Sequence, residues 1–207
     1  PYLAKKAFSL GPTGPWIKQP EVHPMVVKAG TYYSTAVCPG PIIRQGDEYL
    51  MFFSASDDNP IKRTLSIART KDLNGSWDIQ AEPILPLDEQ IENISFYFEP
   101  TSQTWFLFTN HVGLVNGTGE VDDSIWVYWS KDLTRWDPAN KAVVLDKSNC
   151  KWSKIRIGLP SVMKVGNRLA ILYDAPAPDR PKEGGMDIYC DVGLAWLDLP
   201  LRIPEKK

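Results

Sequence analysis

Histidine and cysteine are scarce in this 207-residue chain, at two and three. With only His23 and His111 and no Gly-x-Ser-x-Gly turn, a Ser-His-Asp triad has no obvious serine partner. Cys38, Cys150 and Cys190 have no metal-ligand spacing. They read as buried free thiols, with a Cys150–Cys190 bridge as the alternative in an exported protein. No run approaches the ~18 apolar residues of a membrane helix. There is no Gly-rich phosphate loop, and no stretch of ten residues carries an apolar stripe at helical spacing. Positive charge is not concentrated either. The net charge is −2, the pI is about 5.8, and Lys and Arg are scattered. That excludes a phosphate-neutralising nucleic-acid surface and gives no support for a membrane surface. The terminal Glu205-Lys206-Lys207 reads as a solvated tail.

What the chain does have is a phrase that recurs. Thr70-Lys71-Asp72-Leu73 precedes Trp77, Ser130-Lys131-Asp132-Leu133 precedes Trp136, and Trp196-Leu197-Asp198-Leu199 echoes both. Asp72, Asp132 and Asp198 stand 60 and 66 residues apart. A hairpin-like text leads into each phrase. The first runs Pro41–Arg44, Gln45-Gly46-Asp47, Tyr49–Phe53. The second runs Ile94–Phe98, a turn through Pro100, Trp105–Phe108. The third runs Pro160–Met163, Val165-Gly166-Asn167, Leu169–Tyr173. Short β-branched and aromatic runs punctuated by Gly, Asn and Asp are strands and tight turns. Pro83-Ile84-Leu85 and Ala142–Leu145 supply a fourth run after the Trp.

Four-stranded copies set around an axis predict an all-β chain, a five-bladed β-propeller of antiparallel blades. Residues 1–207 form one propeller domain, with blades at about 31–90, 91–150 and 151–207. Residues 1–30 end a preceding blade, with Trp16 in the role of Trp77 and Trp136. A chain opening in mid-blade at Pro1 implies an upstream part, so a secretion signal is not readable; secreted or periplasmic residence is the expectation. The 43% apolar content and eight Trp support a sizeable core, and 18 Pro suit a fold of turns and edges. Asn74-Gly75-Ser76, Asn93-Ile94-Ser95 and Asn116-Gly117-Thr118 fit a glycosylation pattern too short to decide anything.

In a propeller, inner-strand starts and the loops from second to third strands meet at one mouth of the axis. Polar residues at those places are Thr35, Cys38, Glu92, Asn93 and Arg156; then Asp57, Asp58, Asn110, His111 and Asp174; then Arg63, Asp122, Asp123, Asp187 and Asp191. Carboxylates facing one cavity suit glycoside cleavage: one acid protonates the leaving oxygen while the other activates water or attacks the anomeric carbon. An Arg or a third carboxylate sets their pKa values apart. Trp126, Trp129, Trp152 and Tyr32 offer faces to bracket a sugar ring. The candidates are Glu92, His111 and Asp123 for chemistry, with Asp57, Arg63, Asp122, Arg156, Asp174 and Trp126 for substrate binding. Each has a plainer alternative. Glu92 ends the acidic stretch 88–92, Asp122-Asp123 suits an Asx turn, and His111 suits a satisfied structural site. Arg156 alternates with apolar neighbours, and Asp174 simply ends a strand. Asp72, Asp132 and Asp198 read as turn formers, Trp77 and Trp136 as packing residues. No metal or cofactor is called for, beyond a structural Ca²⁺ that axial Asp side chains suit.

The segment Ser130–Trp136 resembles the Ser-Lys-Asp-Leu-x-x-Trp phrase of five-bladed propeller glycosidases, as do Ile67–Leu73 and the hairpin Gly46–Phe53. Over about residues 1–200 the chain is similar to glycoside hydrolases of family 43 and their relatives in families 32, 117 and 130. The resemblance implies a base Asp, a pKa-setting Asp and an acid Glu near the inner-strand starts of successive blades. Glu92 matches the acid-bearing start. Val37-Cys38-Pro39-Gly40 stands where an Asp is expected, and the base would lie upstream of Pro1. If the three copies are the last three of five, Glu92 falls in the fourth blade and the match fails. His111 gains weight because family-117-like members use a His as acid.

The resulting expectation is a glycosidase acting on a poly- or oligosaccharide. The alternatives are a carbohydrate-binding propeller without catalysis and a propeller platform for protein partners. Oligomeric state is not written in these residues.

Overall fold

The computed structural model describes residues 4–58, 61–116, 119–177 and 190–204. It is all-β, built from radial antiparallel sheets. The first has strands β3 (Ala36–Gln45), β4 (Glu48–Asp58), β5 (Ile61–Thr70) and β6 (Asp78–Ile79), paired in chain order. The second has β7 (Ile91–Glu99), β8 (Thr104–Val115), β9 (Gly119–Ser130) and β10 (Lys141–Asp146). The third, among the described residues, has β11 (Gly158–Val165), β12 (Arg168–Ala175) and β13 (Asp191–Asp198). A two-stranded ribbon of β1 (Lys6–Phe8) and β2 (Ile17–Gln19) precedes them. This is the arc of a propeller.

Turn chemistry sets the registers. Gln45 pairs with Glu48 and Val165 with Arg168, leaving two-residue turns that open on Gly46 and Gly166. Both glycines have positive φ, +64 and +58, which only glycine adopts without strain. The strands of the first two sheets are apolar on both faces because each of these sheets lies between two layers, whereas the third buries one face and leaves Leu172, Val192 and Leu194 exposed on the other. Along β4, Leu50 and Phe52 pack toward the second sheet, while Met51, Phe53 and Ala55 pack toward residues 4–33. Along β8, Leu107 joins the first interface and Phe106 and Phe108 join the third sheet. A fully buried side chain such as Phe52 contributes about 1.5–3 kcal/mol.

Each inner strand carries the same irregularity. The ladder slips between Pro39 and Ile42, between Glu92 and Ser95, and between Gly158 and Ser161. These bulges release backbone donors toward the neighbouring blade. The Asn93 amide donates to Ser54 Oγ at 2.8 Å, and the Leu159 amide to Asn110 Oδ1 at 3.3 Å. The three bulges line one cavity of about 250 Å³, through Cys38, Gly40, Asn93, Ser95, Leu159 and Ser161. The inner strands therefore converge on one axis.

Several expectations need correction. The fourth strand of the first sheet follows Trp77 at once, at Asp78–Ile79, and not at Pro83–Leu85. Pro83 and Pro86 remove ladder donors there, and Ile84 and Leu85 serve as core instead. Asp198 lies in β13 opposite Arg168, so the third echo is out of phase with the turns. Asp72 and Asp132 do form Asx turns, accepting from the amides of Asn74 and Thr134 at 2.8 Å. Trp77 and Trp136 are buried packing residues, but Trp16 is 61% exposed and does not share their role. All three cysteines are free, so the Cys150–Cys190 bridge is absent. Among the described residues no helix is long and apolar enough to cross a membrane.

Candidate active site

The axial mouth is assembled from the starts of β7 and β11 and the ends of β8 and β12. Glu92 pairs with Asn110 across the β7–β8 ladder. Asn93 has φ +57, which folds its side chain back over this pair. Its Nδ2 donates to Glu92 Oε1 at 3.3 Å and to Asn110 Oδ1 at 2.8 Å. Asn110 is fully buried, and its own Nδ2 donates to Asp122 Oδ1 at 3.0 Å. Two amides thus string two carboxyl groups together. The Leu159 amide also reaches Asn110 Oδ1 at 3.3 Å, tying the string to the third sheet.

The carboxyl of Asp122 lies against the bare Cα of Gly158. A methyl group there would stand 2.8 Å from Asp122 Oδ2. The Asp122 carbonyl accepts from the Ile157 amide at 3.0 Å. Burial pushes Asp122 up from 3.8 to about 7; the Glu92 carboxylate adds to this, and Arg156 opposes it. Burial also raises Glu92, with Arg63 pulling it down and Glu120 pushing it up.

Two ion pairs rim the mouth. Arg63 donates through Nε and Nη2 to both oxygens of Glu120 at 2.7 Å, a fork that joins the first and second sheets. Arg156 Nη2 donates to Asp174 Oδ2 at 3.0 Å and to Cys190 Sγ at 2.9 Å. Arg156 Nε and Asp174 Oδ1 are buried and have no hydrogen-bond partner among the described residues. Asp57 accepts from Ser34 Oγ at 3.1 Å on the first sheet.

His111 and Asp123 lie elsewhere. Adjacent residues on a strand face opposite ways, so His111 points away from the Asn110 side. The β8–β9 ladder slips so that His111 pairs with Ser124 and Val112 with Asp122, which makes Asp123 the extra residue of a bulge. His111 Nδ1 lies 2.8 Å from Asp123 Oδ1, to which Ser124 Oγ also donates at 2.8 Å. These bonds hold Asp123 below the usual carboxylate range, although burial alone would raise it. The His111 ring stacks on Trp126 at 4.3 Å, and the Lys141 ammonium sits 4.5 Å from the Trp126 ring. The group opens on an outer cleft of about 520 Å³, bounded by Val143, Asp146 and Lys147.

The structure therefore brings Glu92, Asp122, Arg63, Arg156 and Asp174 to the axial mouth and sets His111, Asp123 and Trp126 on the reverse face of the second sheet. The other aromatic candidates are occupied. Trp129 is core, the Tyr32 hydroxyl donates to the Gln80 carbonyl and bonds to the Ser66 hydroxyl, and Trp152 stacks on Tyr173. Glu120 escaped the sequence reading, although it stands two residues before Asp122 and so on the same strand face. Asp187 lies outside the described residues, as does the side chain of Asp58. Among the described residues, no three His, Cys, Asp or Glu side chains converge as metal ligands.

No family model matches the chain, and no curated protein matches its sequence. Solved structures do match its shape. One is an endo-arabinase from Bacteroides thetaiotaomicron, 16% identical over 87% of this chain and 62% of its own, with TM-score 0.66. A second is a family-43 β-xylosidase/α-arabinofuranosidase from a compost metagenome, solved with xylotriose. It is 9% identical over 94% of this chain and 62% of its own, with TM-score 0.61. A third is a β-1,2-mannobiose phosphorylase from Listeria innocua, 20% identical over 81% and 42%, with TM-score 0.56. The chain shares the propeller fold of these carbohydrate-active enzymes and spans about two-fifths to three-fifths of their lengths.

Proposed function

We propose that this chain carries the acid–base pair of a glycoside hydrolase at its axial mouth. Asp122, protonated up to about pH 7, donates its proton to the glycosidic oxygen as the bond to the anomeric carbon breaks. Glu92, in its carboxylate form, activates the attacking water or itself attacks the anomeric carbon. Arg156 and Asp174 rim the same mouth as an ion pair at 3.0 Å, and the Arg156 charge opposes the rise of Asp122. One observation carries the reading: two carboxyl groups, both pushed up by burial, are strung on Asn93 and Asn110 at the axial end of the inner strand.

The fold neighbours support the substrate class. Their names describe enzymes of arabinan, xylo-oligosaccharides and mannobiose, all held together by glycosidic bonds. The test is a screen of aryl pentosides, aryl hexosides and the matching oligosaccharides on the full-length polypeptide. Asp122→Asn and Glu92→Gln should each lower turnover about 10²–10⁴-fold. Wild-type turnover in both variants refutes the assignment.

A further inference from the structure

We infer that the His111–Asp123 pair on the reverse face of the second sheet is a positioning device that fixes the aim of the Asp122 carboxyl at the axial mouth. The inference rests on the proposed role of Asp122, and it follows from the geometry of one bulge. A regular β8–β9 ladder would pair residue for residue. Here Asp123 is inserted between Ser124, which faces His111, and Asp122, which faces Val112. An extra residue in a ladder has no pairing bonds of its own to hold it. Side-chain bonds take their place, with His111 Nδ1 and Ser124 Oγ both at 2.8 Å from Asp123 Oδ1.

Sterics reinforce the arrangement on both faces. Gly113 leaves room for Asp123, since a methyl group there would lie 2.7 Å from its Oδ2. Gly158 does the same for Asp122 on the front face, at 2.8 Å. Two neighbouring carboxyls are thus seated against two glycines on opposite sides of one bulge. His111 is itself fixed, stacked within 6° of parallel on Trp126. The peptide plane between Asp122 and Asp123 is rigid and its carbonyl is held by the Ile157 amide at 3.0 Å, so a tilt of that plane at Asp123 is taken up at ψ of Asp122 or shifts its Cα. The reverse-face bond therefore transmits to the front-face Asn110–Asp122 bond without touching substrate.

The test reads Asp122 directly. Side-chain carboxyl NMR of the full-length polypeptide follows its titration in the wild type, His111→Ala, His111→Asn and Gly113→Ala. The charged groups that face Asp122 are Glu92, Glu120, Arg156 and Asp174, and all are retained. His111→Ala and Gly113→Ala should move the Asp122 titration by about one unit toward the ordinary carboxylate range, as the carboxyl gains water. On the best aryl glycoside, kcat should fall about tenfold with KM little changed. His111→Asn keeps a donor near the Nδ1 position and should restore both. An unmoved Asp122 titration in two folded variants, His111→Ala and Gly113→Ala, overturns the inference, as does failure of His111→Asn to restore it. If Asp122→Asn is fully active while His111→Ala still moves the titration, the coupling stands and the hydrolytic role falls.

Discussion

Asp122→Asn should make the protein more stable at pH 8 while it removes activity. The carboxyl titrates near 3.8 when exposed to water in the unfolded chain and at about 7 in the fold. Between those values the folded state holds a proton that the unfolded state does not. Stability therefore falls as pH rises across that window, and the contribution is fully present only below about 3.8. Each pKa unit corresponds to about 1.36 kcal/mol, so the full loss approaches about 4 kcal/mol at pH 8. The Asn side chain is neutral throughout, and its amide oxygen still accepts from Asn110. Groups that do not interact with Asp122 titrate alike in both proteins and cancel in the difference. The assay is urea unfolding of the full-length polypeptide and its variant at half-unit steps from pH 4 to pH 8. The variant's advantage should grow by a few kcal/mol over that range and level off above pH 7. Parallel curves refute the reasoning, because they mean that Asp122 carries no unusual proton.

Gly158→Ala should drive the Asp122 carboxyl off its seat, since the new methyl has only 2.8–3.0 Å to three of its atoms. The expected loss of kcat/KM is about 10²-fold, while Gly75→Ala, whose methyl meets only ordinary contacts from 3.4 Å outward, leaves activity unchanged. Glu120→Gln should lower the Glu92 pKa, because Glu120 raises it and its loss leaves Arg63 to act more strongly; the acidic limb of the pH–rate profile then moves to lower pH. Phe52→Ala, at the centre of the interface between the first two sheets, should cost about 3–5 kcal/mol by thermal unfolding.

The sheets were legible because their signals are local. Gly46-Asp47 and Gly166-Asn167 are two-residue turns that fix registers by themselves, and apolar runs such as Tyr49–Phe53 have the text of strands buried on both faces. The repeated Trp marked packing positions correctly where it closed a strand-turn unit, at 77 and 136. Trp16, which precedes the second strand of a two-stranded ribbon among the described residues, is exposed instead. The inner-strand bulges left no comparable signal. A bulge depends on what the neighbouring blade accepts, as Ser54 does for Asn93, and that partner is 39 residues away.

The site was half legible for the same reason. Grouping polar residues by blade position gathered Glu92, Asp122, Arg156 and Asp174 correctly at one mouth. It also gathered His111 and Asp123, because position along a strand does not tell which face a side chain takes once a bulge intervenes. Gly113 and Gly158 carry the missing information, since each clears space for one carboxyl. Glu120 was overlooked because its partner Arg63 belongs to another sheet, 57 residues earlier.

The pH–rate profile of the full-length polypeptide on its best glycoside tests the central claim most directly. Activity should fall as pH rises through about 7, where Asp122 gives up the proton it must donate. A rate that stays level or climbs from pH 6 to pH 9 contradicts it.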